Sequence, residues 1–92
     1  MRTSIDRDSV EYLHVPISTP DDADLSAVQM AVVATSTRPA GGDWADATWN
    51  DTTREATLLV GPYGTPGVRS VWVRVTDNPE VPVFNAGNIA IT

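Results

Sequence analysis

A chain of 92 residues has room for one domain and, at that size, buries only about two-thirds of the surface its unfolded form exposes, so its margin of stability is thin. It has no cysteine, which removes both a disulfide framework and a thiolate metal site as supplements to the core. Its formal net charge of −6, with every cation an Arg and none a Lys, repels phosphate and argues against nucleic acid as a partner.

The first ten residues, MRTSIDRDSV, carry no apolar run of the kind a secretory leader needs. No later stretch approaches the ~20 apolar residues of a membrane span, so no membrane association is expected. With Met at position 1 and no visible tag, the sequence reads as a whole gene product. Residues 1–10 are polar apart from Ile5 and Val10. They hold too little apolar surface to pack alone, and are expected to form an arm, either mobile or laid on a partner. The folded domain is then 11–92.

Turn signals at 18–22, 38–43, 61–67 and 77–79 cut the remainder into short pieces. Between them lie strand candidates at 11–17, 28–35, 44–49, 55–60, 69–76, 81–84 and 88–91, a spacing that predicts an all-β sandwich of about seven short antiparallel strands. Alternation points Leu13, Val15 and Ile17 inward, then Val28, Met30 and Val32, Leu58 and Val60, Val71, Val73 and Val75, and finally Ile89 and Ile91. Residues 24–34 also fit a helix, with Asp24 as cap and Leu25, Val28 and Val32 at helical spacing. The β-branched Val32-Val33 finish and the all-β context favour a strand. Pro16 and Pro82 cannot donate to a ladder, so their segments are expected at sheet edges or beside bulges. The clearest pattern is a hairpin: Val71, Val73 and Val75 on one face, Trp72 and Arg74 on the other, and Asp77-Asn78-Pro79-Glu80 as its connection.

The chemistry-bearing residues form no reactive set. Asp21, Asp22 and Asp24 lack the spacing and glycine of a calcium loop and read as a solvated turn. Asp43, Asp46, Asp51 and Glu55 have no apolar pocket to raise a carboxyl pKa, so surface solubility explains them better than acid–base work. His14, the single histidine, cannot build a zinc site without cysteines and has no Ser and Asp relay around it. It reads as a surface or contact residue opposite Leu13 and Val15. Gly61-Pro62-Tyr63-Gly64 lacks the downstream Lys-Ser/Thr and helix of a phosphate loop and reads as a turn. No cofactor, metal ligand or catalytic residue is therefore expected, and the chain is expected not to be an enzyme. Of Trp44, Trp49 and Trp72, one of the first two should be a core tryptophan, the other lying at a rim. Trp72 beside Arg74 has the composition of an interface hot spot. A protein interface through Ile5, Tyr12, His14, Trp72 and Arg74 is the sharper expectation. Packing of Trp72 under a loop or the arm is the plainer one.

Three segments carry a resemblance: EYLHVPI at 11–17, TLLVGPYGTPGVRSVWVRVTD at 57–77 and NPEVPVFNAGNIAIT at 78–92. Together they resemble small immunoglobulin-like proteins encoded in the structural-gene region of tailed phages of actinobacteria. An all-Arg cation set with abundant Ala, Val, Thr, Asp, Gly and Pro, the composition of a gene rich in G and C, points the same way. Where many immunoglobulin-like domains place a tyrosine after such a Pro-Gly turn, this chain has Val68. The absence of a disulfide pair excludes the antibody-type subclass. The resemblance implies an immunoglobulin-like β-sandwich made in the host bacterial cytoplasm and located on the virion. There it would bind the major capsid protein or neck and tail proteins, with homo-oligomers also open. A capsid decoration or minor capsid protein is the leading role, and a head–tail connector or tail-associated protein the next. From another class comes a carbohydrate- or host-surface-binding module, using Trp44, Tyr63 and nearby carboxylates as a stacking platform.

Overall fold

The computed structural model describes residues 3–17, 27–76 and 81–92. Among them are eight strands: β1 (Ser4–Ile5), β2 (Glu11–Pro16), β3 (Val28–Ala34), β4 (Ala45–Asp46), β5 (Thr48–Asn50), β6 (Glu55–Val60), β7 (Gly67–Val75) and β8 (Val83–Ile91). A single 3-10 turn occupies Gly41–Asp43, and the described residues contain no α-helix. The turn at 18–22, the Asp21, Asp22 and Asp24 loop and the 77–80 connection lie outside the described residues.

The strands make two sheets, one of five in the order β1-β8-β7-β3-β4 and one of three in the order β2-β6-β5. Neighbours run antiparallel except β1, which runs parallel to β8 with Ser4 opposite Ala90 and Ile5 opposite Ile91. One apolar core draws on both sheets, with Leu13 and Val15 of β2 and Ala56 and Val60 of β6 meeting Met30, Val71, Val73 and Ile89. Alternation explains this: inward valines of β7 alternate with Trp72 and Arg74, and β-branched side chains suit a pleated, half-buried surface. Residues 28–34 form a strand, not a helix. Val32 is half-buried and packs against the core.

The sequence divided the chain differently in three places. Residues 83–84 and 88–91 are parts of one strand, β8, which residues 81 and 82 precede. The Ala86-Gly87 pair that reads as a break is a bulge, marked by a register shift at Val71/Trp72 and by Gly87 at φ +125°. Residues 44–49 are not one strand: β4 pairs in the larger sheet and β5 in the smaller. The crossing is at Ala47, whose N–H donates to the Val28 carbonyl at 3.0 Å.

The third difference is the arm, whose described residues fold with the domain. Ala90 and Thr92 donate backbone bonds to the Thr3 and Ile5 carbonyls at 2.9 and 2.8 Å, and the Ile5 side chain lies in the core, 1% exposed. A further clasp holds the turn after β1. The N–H groups of Tyr63 and Gly64 both donate to the Arg7 carbonyl at 3.0 Å, and the Ser9 carbonyl sits where a Cβ on Gly61 would have to go. Composition alone misjudged this segment because one isoleucine, paired to a terminal strand, suffices to close the sheet edge.

Candidate interaction surface

The two sheets turn very different outer faces to solvent. On the five-stranded sheet, Trp72 lies opposite Ala31 and beside Arg74. The connection from β3 to β4 folds back over this face, bringing Arg38 to 4.9 Å from the Trp72 ring centroid. Arg74 lies 4.5 Å over the Trp44 ring and donates to Gln29 Oε1, through Nε at 2.8 Å and also through Nη2. Gln29 Nε2 in turn donates to Asp46 Oδ1 at 3.0 Å. Ala31, Val33 and Ser70 are buried on this outward side, and Trp72 is half-buried, its Nε1 inaccessible and without a hydrogen-bond partner among the described residues. Trp72 and Arg74 therefore point outward as alternation requires, yet they are engaged within the chain.

The same stacking recurs elsewhere. Arg54 lies 5.2 Å over Trp49, which packs on the core, and Arg69 lies 4.6 Å over Tyr63. A planar, weakly hydrated guanidinium suits an aromatic face, each pair contributing about 0.5–1 kcal/mol where solvent reaches it. Tyr63 is held above the ordinary tyrosine pKa of 10.0 by burial, partly offset by the Arg69 charge. With Arg74 on Trp44 and Arg69 on Tyr63, each aromatic ring of the expected sugar platform already carries a guanidinium.

Among the described residues, the outer face of the three-stranded sheet carries no such stack. Tyr12 of β2 is 60% exposed and lies directly opposite Leu59 of β6, 53% exposed. Val10, two residues before Tyr12, is 52% exposed. Farther along the same face His14 faces Thr57, their Nδ1 and Oγ1 3.3 Å apart, and Glu55 lies 4.0 Å from His14 Nδ1. Pro16 closes the strand at the sheet edge. The result is a strip of Val10, Tyr12 and Leu59 continuing into His14, Thr57 and Glu55. Comparison with protein-family models, curated proteins and solved structures returns no match.

Of the residues expected at an interface, Tyr12 and His14 share this face, Trp72 and Arg74 occupy the opposite one, and Ile5 is not at the surface. Leu59 and Val10 were not singled out, although parity gives Leu59 away: with Leu58 and Val60 inward, Leu59 must face out. A second exposed apolar group, Val81, Val83 and Phe84, lies at the start of β8. There the bulge, with Gly87 N–H taken by Asn85 Oδ1 at 2.8 Å, interrupts the ladder a docking strand would extend. Among the described residues no group of three or more His, Cys, Asp or Glu side chains is placed to hold a metal ion.

Proposed function

We propose that this chain is a non-enzymatic structural protein of a tailed-phage virion, acting as a capsid decoration or minor capsid protein that binds other virion proteins. The observation that carries its adhesive role is the exposed cross-strand pair of Tyr12 and Leu59, in a protein where Trp44, Trp49 and Trp72 are each stacked by a guanidinium of the same chain. Aromatic anchors surrounded by apolar neighbours are what interface cores are made of. The protein-interface residues are therefore Tyr12, His14, Val10 and Leu59, with Ile5 serving the fold.

The fold is read as an immunoglobulin-like sandwich. In support, β2, β6 and β5 stand in one sheet and β4, β3, β7 and β8 in the other, in the order immunoglobulin domains use, with the first strand added parallel to the last. The virion assignment rests on the segments at 11–17, 57–77 and 78–92 that resemble small phage structural proteins.

Cryo-electron microscopy of purified particles, with quantitative mass spectrometry of their protein content, tests the reading. Many copies over the shell are expected. A ring at the neck or tail moves the same chemistry to a connector. Absence from the particle refutes the virion role.

A further inference from the structure

We propose that the partner seated on the Tyr12 and Leu59 face is a basic protein surface, presenting an apolar group flanked by Lys or Arg side chains; this rests on the reading of that face as the docking surface. Along the chain direction of β2, carboxylates stand on either side of the apolar group of Val10, Tyr12 and Leu59: Asp6 and Asp8 in the turn before β2, and Glu55 beyond His14 and Thr57. At the Val10 end, the turn leading into β2 carries Asp6 and Asp8, both exposed, against a single guanidinium, Arg7. At the other end Glu55 lies on the face, and the turn from β5 to β6 adds Asp51 against Arg54, which is bonded to Asp51 at 3.1 Å and lies over Trp49. His14, between the ends, is the remaining titratable group on the face besides Tyr12.

The rest of the molecule strengthens this field. Arg38, Arg69 and Arg74 each lie over an aromatic ring of the chain, while Asp and Glu outnumber Arg twelve to six. An approaching surface thus meets net negative potential around an apolar strip, a combination that steers cationic partners and disfavours anionic ones. Nucleic acid and anionic lipid are opposed by the same charge. A second copy is opposed too. Paired about a two-fold axis with the strips antiparallel, the Asp6 and Asp8 end of one copy would lie on the Glu55 end of the other. Paired parallel, each acidic end would meet its own kind. A cation-rimmed protein surface satisfies both the middle and the ends.

The test compares particles assembled with the wild-type chain and with variants, counting copies retained after washing in about 0.1 M and about 1 M NaCl, between which the Debye length falls from about 10 to about 3 Å. The wild type should be retained at low salt and released at least about tenfold more at high salt. Leu59→Glu should be retained at least about tenfold less at low salt, and the Asp8→Lys, Glu55→Lys pair should also be retained less. Thermal unfolding of each free variant checks that it folds, and Tyr12→Ser serves in place of any that does not. Wild type on the particle with Leu59→Glu and Tyr12→Ser retained equally would overturn the proposed surface while leaving the virion role standing. Loss of Leu59→Glu without any salt dependence would overturn the cationic partner. A wild-type chain absent from particles takes the virion role and this proposal down together.

Discussion

Ile5→Ala decides whether the N-terminal segment belongs to the fold or waits for a partner. Ile5 is 1% exposed, so essentially its whole side chain leaves water on folding. Truncation to Ala removes three methylene equivalents, about 2.4 kcal/mol at roughly 0.8 kcal/mol each. Its neighbours Ile91 and Ile89 sit in regular β8 pairing and resist collapse into the space, which adds a cavity term. The two-residue β1 can settle inward, which limits that term, so the expected loss is about 2–3 kcal/mol. With about 2.1 cal/mol/K of unfolding entropy per residue over 92 residues, the midpoint should fall by about 10–16 °C. Circular dichroism melts and urea titrations of the free protein measure this, with Tyr12→Ala as the exposed-site control, expected to change stability by under about 1 kcal/mol. A loss below about 0.5 kcal/mol for Ile5→Ala would refute the argument. It would mean that the segment detaches readily from the sheet in solution, as a mobile arm does.

Three further outcomes follow from the same geometry. Gly61→Ala should destabilise by about 2 kcal/mol or more in urea, because φ +93° disfavours any side chain and the Ser9 carbonyl occupies the Cβ position; Gly64→Ala, at φ +79° with open space, should cost less. Trp72→Ala should cost about 2–3 kcal/mol in the free protein, and a double-mutant cycle with Arg38→Ala should give a coupling of about 0.5–1 kcal/mol; a coupling of zero would mean that the stack contributes nothing. For Tyr63, the folded pKa lies above the unfolded 10.0, so the folded state holds its proton more tightly. That stability is complete below the unfolded value and is lost as pH rises through the folded one; Tyr63→Phe should therefore show a shallower loss of stability as pH rises above 10 than the wild type, and equal slopes would contradict the shift.

Alternation was enough to reveal the all-β class and the core faces of β2, β3, β6 and β7, because a strand with one buried face must repeat every two residues. Boundaries failed where the backbone departed from that repeat. Ala86-Gly87 reads as a loop, yet in a bulge the chain gains one residue and continues. The change of sheet at Ala47 leaves no mark in hydropathy, since β4 and β5 are each too short to show a period. Trp72 shows the limit for surfaces. Its outward direction was legible, whereas its cover, Arg38, comes from a loop 34 positions away in sequence, and no local pattern encodes where such a loop lies.

Exposed apolar side chains are ordinary on soluble proteins, so exposure alone does not distinguish Tyr12 and Leu59 from Val68, which is 52% exposed. Contiguity does. Tyr12 and Leu59 are direct cross-strand partners, and the exposed Val10 lies two residues before Tyr12, just ahead of β2. Val68 stands opposite Ala90, with no large apolar neighbour across the strand, and Val83 and Phe84 stand beside a bulge. A rigid row on a two-layer scaffold presents its side chains already ordered, which lowers the entropy cost of docking, and an acidic surround suppresses association among copies. Both properties favour the proposed docking on a surface of opposite charge over self-association.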